Sequence, residues 1–238
     1  MKSLSELKIK IFADGADKAT MLQLYARFYI RGFTTNPTLM RKAGITDYEG
    51  FARDILEAIP DRPISFEVFA DDSAEMERQA RKIASWGANV YVKIPVTNTK
   101  GESQADLIRR LVASGVKLNV TALLPLDQVR IISTALADGP PAYISVFAGR
   151  IADTGFDPVP LMTEALGIIK PYPNIELIWA SPRELLNIIQ ADAIGCHIIT
   201  ATNDVLQKLT LLGKDFHEYS LDTVKMFYHD AVTSGFTL

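Results

Sequence analysis

Apolar residues recur along the chain in short runs with two different periods. Eight runs are rich in β-branched and aromatic residues and alternate every second position, as strands do. They fall at residues 8–14, 32–36, 63–68, 89–97, 116–122, 142–147, 175–180 and 197–200. Between them the apolar positions space out to three and four, the period of a helix. These stretches cover 18–29, 48–58, one opening at 73, then 105–113, 126–137, 159–170 and 183–194. Asp47 and Ser73 read as N-caps, and Glu75 and Glu77 place negative charge at the start of the second of these helices. Two more helical stretches, 205–211 and 221–232, close the chain.

Strand and helix alternate eight times without a composition break, an internal repeat or a low-complexity linker. That pattern predicts α/β architecture with a parallel sheet. At this length it predicts a single (β/α)8 TIM barrel over residues 1–238, with an extra C-terminal helix. An open doubly wound sheet is the alternative, and the lack of a Gly-x-Gly-x-x-Gly turn after the first strand weakens its dinucleotide-binding form.

Within each strand one parity is apolar and suits packing beneath helices. The other gathers polar residues toward the C-terminal end: Asp14, Asn36, Glu67, Lys93, Asn119, Thr121, Ser145 and Ser181. Barrel enzymes work at those ends of their strands. Lys93 follows Val90, Tyr91 and Val92 in the fourth strand. Lysine is rarely buried without a partner or a use. In an apolar pocket its amine loses a proton more readily, and a neutral amine can attack a carbonyl. Asp14 and Glu67 supply carboxylates for proton transfer. Arg150 and Arg183 follow the sixth and seventh strands, and their spacing suits either a phosphate site with Ser181 or ordinary surface ion pairs. Tyr91 and Trp179 read as barrel filler, and Phe227 and Tyr228 as packing.

Composition narrows the classes without changing this picture. The chain is 48% hydrophobic and 22% charged, with net charge −3 and no basic run, so nucleic acid is not expected as a partner. Cys196 is the single cysteine, and His197, His217 and His229 share no metal spacing, so no metal is expected. No apolar run is long enough to span a membrane and the N-terminal residues lack a signal-peptide core, so a cytoplasmic protein is expected.

Six segments carry a family resemblance. They are Phe12-Ala13-Asp14, Gly32-Phe33-Thr34-Thr35-Asn36-Pro37-Thr38-Leu39, Val92-Lys93-Ile94-Pro95, Asn119-Val120-Thr121, Gly149-Arg150-Ile151 and Ala180-Ser181-Pro182-Arg183. Together they resemble the transaldolase family, most closely its short members, over nearly the whole chain. The resemblance implies a (β/α)8 barrel that moves a dihydroxyacetone unit between sugar phosphates of the pentose phosphate pathway. It implies Lys93 as the Schiff-base lysine and Asp14 as the acid/base at the donor C4 hydroxyl. Glu67 and Thr121 resemble the pair that holds a catalytic water. Asn36, Asn119 and Ser145 resemble binders of the dihydroxyacetone hydroxyls, and Arg150, Ser181 and Arg183 a phosphate site. No cofactor is implied, since a protonated imine is its own electron sink, and a homo-oligomer is. A related aldolase branch resembles this pattern but has glutamine at the Glu67 position and tyrosine at the Phe147 position. Glu67 and Phe147 here therefore favour transfer over cleavage. The chain departs from the family pattern at Gly15, at Glu184-Leu185-Leu186, at Ala201-Thr202-Asn203-Asp204, and in a longer tail.

Overall fold

The computed structural model describes residues 3–237. Eight parallel strands close into a barrel in sequence order. They are β1 (Lys10–Asp14), β2 (Ile30–Thr34), β3 (Ile64–Glu67), β4 (Val90–Pro95), β5 (Leu118–Leu123), β6 (Ala142–Val146), β7 (Ile175–Trp179) and β8 (Ile198–Thr202). The β1–β8 pairing seals the ring, with Phe12 opposite Thr200 and Asp14 opposite Thr202.

Helices α1 (Lys18–Tyr25), α2 (Pro37–Lys42) and α3 (Tyr48–Ala58) serve the first two crossovers. Next come α4 (Ser73–Ala84), α5 (Ala105–Ala113), α6 (Leu126–Leu136), α7 (Ala148–Asp153), α8 (Pro158–Ile169), α9 (Leu186–Ala193) and α10 (Asn203–Gln207). The last, α11 (Phe216–Ser234), follows a 3-10 turn at Lys208–Leu211. Each crossover helix buries one stripe against the strands. In α3 it is Phe51, Ala52, Ile55 and Leu56, and in α5 Leu107, Ile108 and Leu111. A fully buried aliphatic side chain of this kind contributes about 1.5–3 kcal/mol. No helix among the described residues is long and apolar enough to cross a membrane.

Several boundaries depart from the sequence pattern for local reasons. The N-cap of α4 is Asp72 and not Ser73, because its carboxylate accepts from both the Ala74 and Glu75 amides at 3.0 Å. The helix expected from Arg183 begins at Leu186. The Asn187 side chain accepts from the Arg183 and Glu184 amides at 2.8 and 3.2 Å, which holds those residues in a turn. Helices α2 and α7 span six residues each, too short for periodicity to reveal. Phe227 and Tyr228 do not pack: they are 62% and 73% exposed, and α11 buries no residue at all.

Two apolar layers result. The large one lies between strands and helices and includes Ile11, Phe33, Phe66, Val92, Val120 and Trp179. Trp179, expected inside the barrel, belongs to this outer layer, because Ile178 takes the inward parity. The small one fills the barrel with Phe12, Tyr91, Tyr143, Ile178, Ala180 and Ile198. Tyr91 and Tyr143 stack at 4.1 Å, with Phe12 edge-on to Tyr143 at 5.8 Å. A Cβ on Gly32 would come within 2.6 Å of the Phe12 ring, so glycine is needed for that ring to lie across the barrel floor.

Candidate active site

Inward-facing residues stack in layers contributed by alternate strands. Above Tyr91, Tyr143 and Ile198, the residues Ser65 and Asn119 join Phe12 and Ile178. The next layer holds Thr34, Lys93, Ser145 and Thr200, and the uppermost Asp14, Glu67, Thr121 and Ala180. The interior thus turns from apolar to polar along its axis, and its polar end opens into a cavity of about 470 Å³. Asn36, Phe147, Arg150 and Ser181 also line that cavity. A cavity of about 580 Å³ lies at the opposite end, beside the 3-10 turn Leu4–Glu6, but no carboxylate lines it.

Lys93 is 6% exposed. Its Nζ lies 3.1 Å from Glu67 Oε2 and donates to the Thr35 carbonyl at 2.9 Å. Placing an ammonium this deep costs several kcal/mol unless partners compensate. Glu67 and Thr35 are those partners, Glu67 from the adjacent strand β3 and Thr35 from just past the end of β2, one strand further round. Across the mouth, Asp14 accepts from Thr34 Oγ1 at 2.7 Å, and Thr34 shares a 2.6 Å contact with Thr200 Oγ1. Burial pushes the Asp14 carboxyl up from its ordinary range, against the opposing pull of Lys93 and the Thr34 hydrogen bond. A carboxyl poised this way can exchange a proton nearer neutrality.

Asn119 is fully buried and bridges two hydroxyls. Its amide nitrogen donates to Ser65 Oγ at 3.0 Å, and its oxygen accepts from Ser145 Oγ at 2.7 Å. Thr121 Oγ1 is buried beside the cavity with no protein partner. The register of β5 against β6 shifts there, and Ala122 takes φ 64°, a left-handed backbone that is costly for a residue with a side chain. That bend ends the strand regularity just where Thr121 reaches the cavity. Asn36 caps α2, with its side-chain oxygen accepting from the Leu39 amide at 3.0 Å.

The two arginines are placed differently. Arg150 lies on the cavity wall, its guanidinium 5.7 Å from the centre of the Phe147 ring. Arg183 is turned onto Asp153, donating through Nε at 2.8 Å and through a second nitrogen, and bonds Ser181 Oγ at 2.9 Å. It does not line the cavity. Close approach of two segments brings the arginines together. A Cβ on Gly149 would fall 1.6 Å from the Ser181 carbonyl oxygen, so only glycine lets the start of α7 touch the turn after β7.

Asp14, Asn36, Glu67, Lys93, Thr121, Ser145 and Phe147 gather around one cavity, as their parity predicts, with Asn119 directly beneath. Arg150 joins them from α7. Ser181, grouped with the inward parity in the sequence, shares the outward parity of Trp179 and reaches the cavity through its left-handed backbone after β7. Three residues were missed: Thr34, Thr200 and Ser65. The parity of Thr34 and Ser65 is visible in the sequence, but nothing there says that they bond to Asp14 and Asn119. Among the described residues no group of three His, Cys, Asp or Glu is arranged to hold a metal ion.

Solved structures similar to this one include 3-hexulose-6-phosphate synthase (TM-score 0.56, 15% identity, 82% of this chain and 90% of that one). A 2,3-dimethylmalate lyase aligns with TM-score 0.55 and 12% identity over 98% of this chain and 86% of that one. At such identities the likeness concerns the barrel alone. Sequence relatives are nearer. A probable transaldolase of Dehalococcoides mccartyi is 35% identical over 202 residues, covering 84% of this chain and 90% of that protein. One from Streptococcus equi subsp. zooepidemicus is 33% identical over 223 residues, covering 93% and 97%. The family model for transaldolase/fructose-6-phosphate aldolase matches residues 11–237. With nearly its whole length matched, the chain belongs to the transaldolase/fructose-6-phosphate aldolase family.

Proposed function

We propose that the protein transfers a dihydroxyacetone unit from a ketose phosphate, sedoheptulose 7-phosphate or fructose 6-phosphate, to an aldose phosphate through an imine on Lys93. The observation that carries this is the buried Lys93 amine held between Glu67 and Thr35 at the floor of a polar cavity. Neutral Lys93 attacks the ketose carbonyl, and Glu67 with Thr121 handles the water lost on imine formation. Asp14, with its raised carboxyl, takes the proton from the C4 hydroxyl as the carbon–carbon bond breaks. Asn119 and Ser145 would bind the hydroxyls of the retained three-carbon unit, together with Asn36, which lines the same cavity as Ser145. Arg150 and Ser181, with Arg183 behind, would take the phosphate. The enamine then waits for an aldehyde acceptor, and Phe147 offers no proton to release it early.

Sugar phosphates are intermediates of the cytoplasm, and we place the activity there, in the pentose phosphate pathway. Leu221, Val224, Tyr228 and Val232 recur at helical spacing along exposed α11, which supports a homo-oligomer in which a second copy covers that stripe. Borohydride reduction in the presence of fructose 6-phosphate, followed by peptide mapping, should modify Lys93. Coupled assays with and without an aldose phosphate separate transfer from cleavage. Equal product formation without acceptor would make the protein a fructose-6-phosphate lyase, and tight binding without turnover a sugar-phosphate-binding barrel.

A further inference from the structure

Tyr48 has no part in the chemistry described above. It opens α3, and its ring meets Phe66, Phe69 and Trp86 edge-on, at centroid distances of 6.1, 4.5 and 5.6 Å. Through this cluster its hydroxyl reaches the backbone of Glu67. It donates to the Glu67 carbonyl at 3.0 Å and accepts from the Glu67 amide at 2.9 Å. A phenol has one proton and spare lone pairs, so both bonds form together. Burial raises the pKa of the phenol, which keeps that proton in place.

The ladder between β2 and β3 shows what those bonds replace. The Phe33 amide donates to the Pro63 carbonyl at 2.9 Å and the Thr35 amide to the Ser65 carbonyl at 3.0 Å. In a parallel pair the next bond of the series runs from the Glu67 amide to the Thr35 carbonyl. Here the Glu67 amide goes to Tyr48, and the Thr35 carbonyl accepts from Lys93 Nζ at 2.9 Å. One hydroxyl has taken the donor that would otherwise occupy the acceptor used by the amine.

We propose that Tyr48 is a positioning residue for Lys93. By drawing the Glu67 amide out of the ladder it releases the Thr35 carbonyl to hold the Lys93 nitrogen. By gripping both backbone groups of Glu67 it also fixes the strand end that aims the Glu67 carboxylate at the same nitrogen, 3.1 Å away. The reactive amine is thus held by two neighbours, and a residue outside the cavity arranges both. The kinetic side of this inference rests on the Lys93 imine proposed above.

Tyr48→Phe keeps the ring and its packing but deletes the hydroxyl. The Glu67 amide is then free to return to Thr35. Both kcat and the rate of borohydride-trappable adduct formation with fructose 6-phosphate should fall about tenfold, the scale of one lost buried hydrogen bond. KM for donor and acceptor should stay within about twofold, since Arg150 and Ser181 are untouched. Trp86→Phe disturbs the same aromatic cluster and spares the hydroxyl, so it should lower Tm and leave the adduct rate near wild type. An unchanged adduct rate in Tyr48→Phe overturns the proposal, as does equal slowing in Trp86→Phe. If the wild-type protein traps no adduct, the imine chemistry fails instead, and an NMR measurement on wild type still decides the role of Tyr48. Scalar coupling across the hydrogen bond from the Thr35 nitrogen to the Ser65 carbonyl carbon should be detected. The equivalent coupling from the Glu67 nitrogen to the Thr35 carbonyl carbon should be absent, and its detection would refute the proposal.

Discussion

The Lys93 amine and the Glu67 carboxylate face each other at 3.1 Å across adjacent strands, at matching positions in the β3–β4 register. The pair is nearly out of water, so each group keeps the other tolerable in the interior. Lys93→Met retains the length and apolar stem without the nitrogen. It should fold, still bind sugar phosphate, and lose both turnover and the reducible adduct. Lys93→Arg should fail too, because guanidinium stays protonated and cannot attack a carbonyl. Mass spectrometry after borohydride treatment checks both, and an adduct in Lys93→Met would assign the chemistry to another lysine.

Asp14 gives a prediction about pH. Its carboxyl titrates above the ordinary aspartate value because it is buried. A raised pKa means that the folded state holds the proton more tightly than the unfolded chain. The associated stability is fully present below about pH 4 and is lost as pH rises through the folded pKa. Asp14→Asn removes that loss. The stability advantage of the variant over wild type should therefore grow as pH rises from about 4 toward the folded pKa, while catalysis disappears. Urea denaturation across that range measures it, and a pH-independent difference would contradict the burial argument.

At the phosphate end, Arg150→Ala should raise KM for phosphorylated substrates about ten- to a hundredfold, the effect of losing about 1.5–3 kcal/mol of charge-assisted contact. Arg183 is committed to Asp153, so Arg183→Ala should have the smaller effect of the two. Non-phosphorylated substrates should be nearly indifferent to either change. Equal losses with both substrate kinds would remove these arginines from phosphate binding. Gly149→Ala should reproduce the Arg150 defect without touching a polar group, because the new methyl collides with the Ser181 carbonyl.

Asn119→Ala would strand two hydroxyls, Ser65 and Ser145, within the barrel. Unpaired buried polar groups cost about 1–3 kcal/mol each, so a loss of about 2–6 kcal/mol in stability is expected along with activity. Chemical denaturation gives the value directly. A loss below about 1 kcal/mol would mean that water replaces the amide.

Parity alone made most of the barrel legible. In β1, Ile11 and Ala13 face helices while Phe12 and Asp14 face inward, and the same alternation located Lys93 and Glu67. Alternation could not show where the alternation stops. The left-handed Ser181 and Ala122, the Asn187 turn that delays α9, and the six-residue α7 are breaks in periodicity. Each leaves at most one or two residues of signal. The pairing of Arg183 with Asp153 was hidden for a different reason. It joins residues 30 apart on separate crossovers, and either pairing or phosphate binding fits the same spacing.

Helix α11 has its own Asp215 cap and a left-handed Gly235 at its end, yet buries none of its residues in the chain that carries it. Nineteen residues that bury no side chain, held by backbone bonds, one cap and the exposed Lys214–Asp222 pair, are marginal in water. The barrel and this helix therefore have separate stabilities. Amide exchange should read them as two clocks: slow and independent of dilution in β4 and β5, fast and concentration-dependent along 216–234. With a second copy covering α11, as proposed above, a protein that looks fully folded by barrel signals would have a melted tail when dilute. Protease nicking confined to that tail at low concentration would be its first symptom.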